Sequence, residues 1–136
     1  MEAWVTRGGA RARKGDIDAA LADCTRAIEL APSTATAWHS RGTARSLTGD
    51  LEGAIGRAAA KARSEDREGV IADTTRAIEL APERADALGL RGYARLGLGD
   101  VRGAVADFER FLVLAPDGPV AADVRARLPE LRARVP

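Results

Sequence analysis

Apolar residues recur every three or four positions along most of the chain, which is the spacing of one face of an α-helix. The pattern is clearest between Ile17 and Leu30, and it predicts further helices over residues 2–14, 35–47 and two more within 85–118. The fold is therefore predicted to be all-α. The stripe of the second helix consists of Ile17, Ala20, Leu21, Cys24, Ala27, Ile28 and Ala31.

A Gly-Asp pair separates the two helices of each predicted pair, at Gly15-Asp16, Gly49-Asp50 and Gly99-Asp100. Glycine tolerates the left-handed residue that follows a helix, and aspartate can accept hydrogen bonds from the free amides of the next first turn. Such a short turn joins two antiparallel helices. The sequence therefore predicts a series of helical hairpins.

One eight-residue segment occurs twice without change, at Thr25–Pro32 and Thr75–Pro82. A looser copy lies at Glu109–Pro116. Trp4 and Trp38 are 34 residues apart, and Pro82 and Pro116 are also 34 residues apart. Self-similarity at a period of about 34 residues indicates an array of repeated structural units.

The period and the residues that recur in phase resemble the tetratricopeptide repeat family over residues 1 to about 118. The motif residues are Trp4, Gly8, Ala20, Ala27 and Pro32, then Trp38, Gly42, Ala54, Ala77 and Pro82, then Leu88, Gly92, Ala104, Phe108 and Pro116. The resemblance implies one domain, a short right-handed solenoid of antiparallel helical hairpins, with about three units and a C-terminal capping helix. The expected divisions are residues 1–34, 35–84, 85–118 and 119–136.

The middle unit carries a 16-residue insertion, because Asp50–Ile55 is echoed by Asp66–Ile71. If residues 51–80 formed one long helix, the apolar face that follows the first segment and the apolar face that follows the second would point about 160° apart around the helix axis. We therefore expect a break near Ser64 to Asp66 and an extra helix from about Leu51 to Arg63. An unbroken helix would instead push one half outward, towards a second molecule.

The residues after Asp117-Gly118-Pro119 predict a terminal helix over 120–134, which would cover the last hairpin. Its apolar stripe is Val124, Leu128, Leu131 and Val135. Pro129 is expected to kink or split this helix, because proline lacks the amide that continues the hydrogen-bond ladder.

Three arginines, Arg11, Arg45 and Arg95, stand where the family usually carries an aromatic residue. Each follows another arginine by one helical turn, the partners being Arg7, Arg41 and Arg91, so each pair shares a helix face. The favoured interpretation is that the guanidinium groups pair with the recurring Asp23, Asp73 and Asp107 or reach water. The alternative is a basic ladder that recognises acidic groups.

The net charge, the lengths of the apolar runs and the numbers of histidine and cysteine argue against several classes of function. The net charge of +1 argues against a nucleic-acid surface, and no apolar run reaches the ~20 residues of a membrane span. One histidine, His39, and one cysteine, Cys24, cannot supply a zinc site or a disulfide, and Cys24 is expected in the core. We expect no enzyme activity, metal or cofactor, and a cytoplasmic location. The 19 arginines against 2 lysines favour a bacterial origin.

The family resemblance also implies a concave groove, lined by the first helices of successive hairpins, that takes an extended peptide or a partner's helix. Carried over residue by residue, the groove is Val5, Thr6, Gly9, His39, Ser40, Thr43, Asp86, Leu90 and Tyr93, with Glu2, Thr36 and Gly89 beside them. Some members grip a C-terminal carboxylate there with Lys, Asn and Arg. This chain has Val5, Gly9, Ser40, Asp86 and Leu90 at those places, which disfavours that mode.

The expected function is therefore a protein–protein interaction scaffold with a protein or peptide partner. The alternative is a self-associating structural unit. In that case a homo-oligomer or a domain swap would form through the insertion or through the uncovered N-terminal hairpin.

Overall fold

The computed structural model describes the backbone of residues 1–51 and 56–136 and the side chains of residues 1–47 and 66–136. Within these ranges the chain forms seven α-helices. Three antiparallel hairpins, α1–α2, α3–α4 and α5–α6, stack through α2–α3 and α4–α5 contacts, and α7 packs on α6. The helices are α1 (Glu2–Lys14), α2 (Ile17–Leu30), α3 (Ala35–Leu51), α4 (Gly56–Leu80), α5 (Ala85–Gly97), α6 (Val101–Leu114) and α7 (Pro119–Arg134).

The turns of the first and last hairpins follow the prediction. Gly15 and Gly99 adopt φ values of 86° and 83°, which favour glycine. Asp100 caps α6 by accepting a 2.9 Å hydrogen bond from the amide of Gly103. The same prediction is wrong for Asp16, which makes no capping hydrogen bond with its side chain.

The middle hairpin departs from the prediction in two ways. α3 continues to Leu51, so the turn predicted at Gly49-Asp50 is wrong. α4 is continuous from Gly56 to Leu80, so the break predicted near Ser64 to Asp66 is also wrong. From Arg57 to Glu68 the chain contains no glycine or proline and mostly alanine, arginine and glutamate, which favour an uninterrupted helix. The predicted extra helix over 51–63 falls partly on residues 52–55, outside the described residues.

Each hairpin holds one buried aspartate between two arginines of its first helix. Asp23 accepts hydrogen bonds of 2.8 Å from Arg7 and Arg11, and its side chain is 4% exposed. The hydrogen bond from Arg7 is the main reason that the pKa of Asp23 lies below its ordinary value. The corresponding groups are Asp73 with Arg41 and Arg45, and Asp107 with Arg91 and Arg95.

These three clusters, which we call the Arg–Asp–Arg triads, confirm the pairing interpretation of the arginine pattern. All six guanidinium groups lie within 3.0 Å of a carboxylate oxygen. A buried carboxylate requires such partners, because an unpaired charge in the interior is costly.

The middle triad is completed by Asp73, which follows the second of the two echoed segments, Asp50–Ile55 and Asp66–Ile71. Arg7 and Asp23 are 16 residues apart, as are Arg91 and Asp107, whereas Arg41 and Asp73 are 32 apart. The position that corresponds to Asp73 after the first segment, 16 residues earlier, is held by Arg57. Pairing through that position would therefore have brought a third cation towards two arginines.

Small residues set the close spacing of the helices. A Cβ atom on Gly92 would lie 2.5 Å from Cε1 of Phe108, so only glycine permits this approach of α5 to α6. Cys24 is buried, as predicted, and burial raises the pKa of its thiol to about 11. The fully buried alanines are Ala20, Ala27, Ala37, Ala44, Ala77, Ala87, Ala104 and Ala121.

The terminal helix covers the last hairpin as predicted. Val124, Leu128 and Leu131 are buried against Phe108 and its neighbours in α5 and α6. Val135 follows the end of the helix. α7 is not split by Pro129, which lies within it on the exposed side, where water can bond to the carbonyl that the proline leaves free.

Neutralising Asp73 tests the contribution of a triad to stability. Asp73→Asn keeps the side-chain volume but leaves Arg41 and Arg45 without a counter-charge. Because breaking a buried ion pair typically costs about 3 kcal/mol, we expect the free energy of unfolding to fall by that amount in a urea titration.

Glu79→Gln is the matched control on the same helix. Glu79 also pairs with an arginine, Arg76, but both side chains are about half exposed. We expect this change to cost less than about 0.5 kcal/mol. Equal losses in the two variants would show that the triads do not hold the hairpins together.

Candidate functional site

Among the described residues, two hollows lie along the face formed by the first helices of the hairpins. The larger has a volume of about 560 Å³ and is bounded by α3, α5, α6 and α7. The smaller, of about 290 Å³, lies at the first hairpin. The larger hollow is lined by His39, Thr43, Ala85, Asp86, Gly89, Leu90, Tyr93, Phe111, Ala115 and Val120. The smaller is lined by Met1, Glu2, Val5, Thr6, Thr34 and Thr36.

The nine groove residues predicted from the sequence fall into three groups. Five of them line the larger hollow, two line the smaller hollow, and two line neither. The five are His39, Thr43, Asp86, Leu90 and Tyr93. The two in the smaller hollow are Val5 and Thr6, and the remaining two are Gly9 and Ser40.

Sequence reasoning missed the side of the larger hollow contributed by α6 and α7, namely Phe111, Ala115 and Val120. A signal for Val120 was present. α7 begins at Pro119, one repeat period after Ala85, so α7 has the register of the first helix of a fourth unit. Val120 is then the counterpart of Asp86.

The larger hollow is mostly apolar. Leu90, Phe111 and Val120 supply its apolar surface, and Val120 is 46% exposed. Gly89 contributes by lacking a side chain, since a Cβ atom there would lie 3.3 Å from Cδ2 of Phe111. Apolar surface that stays open to solvent in this way favours contact with an apolar side chain of another molecule.

A polar edge separates the two hollows. Arg84 holds Asp86 through hydrogen bonds of 3.0 and 2.7 Å and also donates to Thr36 Oγ1 at 3.0 Å. The hydrogen bonds that Arg84 donates to the Asp86 carboxylate are the main cause of the lowered pKa of Asp86. His39 Nε2 lies 3.4 Å from Asp86 Oδ2, but burial lowers the pKa of His39. At neutral pH the edge therefore carries an ionised Asp86 and a neutral His39.

Tyr93 fixes the position of α7 against α5. Its hydroxyl donates a hydrogen bond to Asp123 of α7, which also accepts a 2.8 Å bond from Arg127 Nε. The Tyr93 ring packs edge-on against Phe108 with centroids 4.9 Å apart. Burial, and then the bond to Asp123, raise the pKa of Tyr93 to about 12. The width of the larger hollow depends on this connection.

The described part of the chain shows no arrangement typical of a catalytic or metal site. No group of three His, Cys, Asp or Glu side chains there could hold a metal ion. Cys24 and His39 lie in different hairpins. None of the described helices is long and apolar enough to cross a bilayer.

Comparison with sequence families gives two matches, both to models described as tetratricopeptide repeat. One covers residues 56–129, which is more than half of the chain, and the other covers residues 5–69. The chain belongs to the tetratricopeptide repeat family. No curated protein sequence matched the chain.

Solved structures of similar fold are tetratricopeptide repeat domains or complexes. The Arabidopsis OM64 TPR domain is 26% identical, with a TM-score of 0.76 over 95% of this chain and 93% of that one. The second TPR domain of the human RPAP3 protein, in complex with the HSP70 peptide SGPTIEEVD, is 25% identical, with a TM-score of 0.73 over 93% and 90%. PcrH, in complex with the chaperone binding region of PopD, is 20% identical, with a TM-score of 0.78 over 98% and 91%.

The hydrogen bond between Tyr93 of α5 and Asp123 of α7 can be tested by alkaline titration. Tyr93 is the only tyrosine in the sequence, so the tyrosinate absorbance reports on this residue alone. A pKa raised from 10.0 to about 12 means that the neutral phenol stabilises the fold. This contribution is complete below pH 10.0 and is lost as the pH rises towards 12. We expect tyrosinate absorbance of the folded chain to have its midpoint near 12.

Asp123→Asn should lower that midpoint towards 10.0 without reaching it, because burial still raises the pKa of Tyr93. Asp117→Asn, an exposed change outside both hollows, should leave the midpoint unchanged. A wild-type midpoint at the ordinary tyrosine value, in a chain that circular dichroism shows to be helical, would contradict the Tyr93–Asp123 bond.

Proposed function

We propose that this chain is a protein-interaction scaffold whose larger hollow receives an apolar side chain of a partner's peptide or helix. The observation that carries the proposal is the 560 Å³ hollow itself, which is lined mostly by apolar atoms and lies on the face of the first helices. Pockets that bind small-molecule ligands have volumes of about 300–1,000 Å³.

Two further observations support the proposal. The residues around the hollow are committed to shaping it: Tyr93 bonds α7, and Asp86 is held by Arg84. Such a pre-formed site loses less conformational freedom on binding. Two structural neighbours were also solved with a bound peptide or a region of another protein, SGPTIEEVD for human RPAP3 and the PopD region for PcrH.

The proposal can be tested with random dodecapeptides displayed on phage and selected on the immobilised chain. Leu90→Glu places a carboxylate inside the apolar hollow, where it would be desolvated by a bound apolar side chain. We expect peptides selected on the wild type to bind this variant at least about tenfold more weakly in fluorescence anisotropy.

Leu30→Glu is the matched control, since Leu30 is 51% exposed on α2 and lines neither hollow. It should leave peptide affinity unchanged. ¹⁵N chemical-shift changes at residues 39, 43, 90 and 93 should accompany binding to the wild type. Selected peptides that bind wild type and Leu90→Glu equally would rule out the larger hollow as the binding site.

Self-association at the first hairpin is a second candidate, favoured by one specific observation. The Arg7 side chain is 50% exposed, whereas its counterparts Arg41 and Arg91 are 16% and 14% exposed. Arg41 and Arg91 also donate to Thr25 and Thr75 of the preceding hairpin. The face that another hairpin would cover is thus open at Arg7.

Light scattering at several concentrations tests this second candidate. It predicts a mass above 14.3 kDa that decreases on dilution. It also predicts that Ala3→Glu, on the same exposed end of α1, returns the mass to that of one chain. A mass of one chain at all concentrations would exclude self-association by the first hairpin.

A further inference from the structure

We propose that the segment bound in the larger hollow is cationic as well as apolar, with a lysine or arginine next to the apolar side chain that enters the hollow. This inference rests on the proposed function, since it names the chemistry of the partner for the same site.

The charged side chains that line the two hollows are all of one sign. Among the described residues, Glu2 lines the smaller hollow and Asp86 the larger. No lysine or arginine among them lines either hollow. The larger hollow therefore offers a carboxylate to a ligand although the whole chain has a net charge of +1.

Asp86 is paired, but the pair is oriented with its negative end towards the hollow. The Asp86 side chain is 52% exposed and that of Arg84 is 23% exposed. Arg84 lines a different hollow, together with Ala81, Pro82, Glu83 and Arg110. A ligand in the larger hollow thus meets the Asp86 carboxylate, whereas Arg84 is not among the residues that line this hollow.

The other charged or titratable groups near the rim do not offset this charge. Burial lowers the pKa of His39, so its imidazole is neutral at pH 7. Arg127, on α7, is already bonded to Asp123 and lies over the Tyr93 ring, 5.9 Å from the centroid. The arginines of the triads are each bonded to a buried aspartate.

The rim chemistry selects between partners of opposite charge. A ligand cation beside the hollow would lie near Asp86, partly shielded from water by the bound segment, where attraction is stronger than in bulk solvent. A ligand carboxylate at the same place would be repelled, and like charges brought together across an interface suppress binding. Acidic segments are therefore expected to be rejected.

Selection from the random dodecapeptide library tests the inference directly. We expect the peptides that depend on Leu90 to be enriched in a lysine or arginine within two positions of a bulky apolar residue. Replacing that cation with glutamate in a synthetic peptide should weaken binding to the wild-type chain by at least about tenfold at low salt, and by less at high salt.

Asp86→Asn provides the specific control. Against this variant the same charge reversal should weaken binding by less than about threefold, since the repelling carboxylate is gone. Glu29→Gln, an equally exposed carboxylate that lines neither hollow, should retain the full effect.

The outcomes separate this inference from the proposed function. Peptides that depend on Leu90 but are acidic or uncharged would overturn the inference and leave the groove function standing. The inference is also overturned, with the groove function left standing, if replacing the peptide's cation with glutamate weakens binding equally to the wild type and to Asp86→Asn. If no selected peptide depends on Leu90, both are wrong.

Discussion

The shared carboxylate of each Arg–Asp–Arg triad is the interaction on which the stack depends. It joins the two helices of a hairpin, because the arginines come from the first helix and the aspartate from the second. In two of the three hairpins the same arginine also reaches a threonine of the preceding hairpin. One side chain thus fixes both the geometry within a unit and the contact between units, in a described core where ten of the twenty buried apolar residues are alanine.

The triads also explain how the chain accommodates a duplicated segment. The echoed segments Asp50–Ile55 and Asp66–Ile71 are alike, yet two residues further on the chain has Arg57 after the first and Asp73 after the second. The chain also has Ala62 after the first and Ile78 at the same place after the second. Charge and side-chain volume both favour the packing that is seen, in which Asp73 and its neighbours contact α3, and the third hairpin follows at the normal period of the repeat.

Much of the fold could be predicted because its determinants are local and periodic. The helix bounds of α1 and α2, the glycine turns of the outer hairpins, and the pairing of arginines with Asp23, Asp73 and Asp107 all follow from spacing. The continuity of α4 could not be predicted in this way, because apolar periodicity gives the direction of a face and not the continuity of the backbone. Phe111 was missed for a related reason, since this residue of α6 reaches the larger hollow only through tertiary packing.

The two sides of the larger hollow differ in how extensively their helices are packed. On one side α5 is clamped between α4 and α6. On the other side α7 packs mainly on α6, with the Tyr93–Asp123 connection to α5, and its outer residues, such as Arg125 and Ala126, are in water. A small outward displacement of α7 breaks far less packing than the same displacement of α5. Displacing the α7 side of the larger hollow therefore costs less packing than displacing the α5 side, so any change in its opening would come from α7 while the three hairpins keep their form.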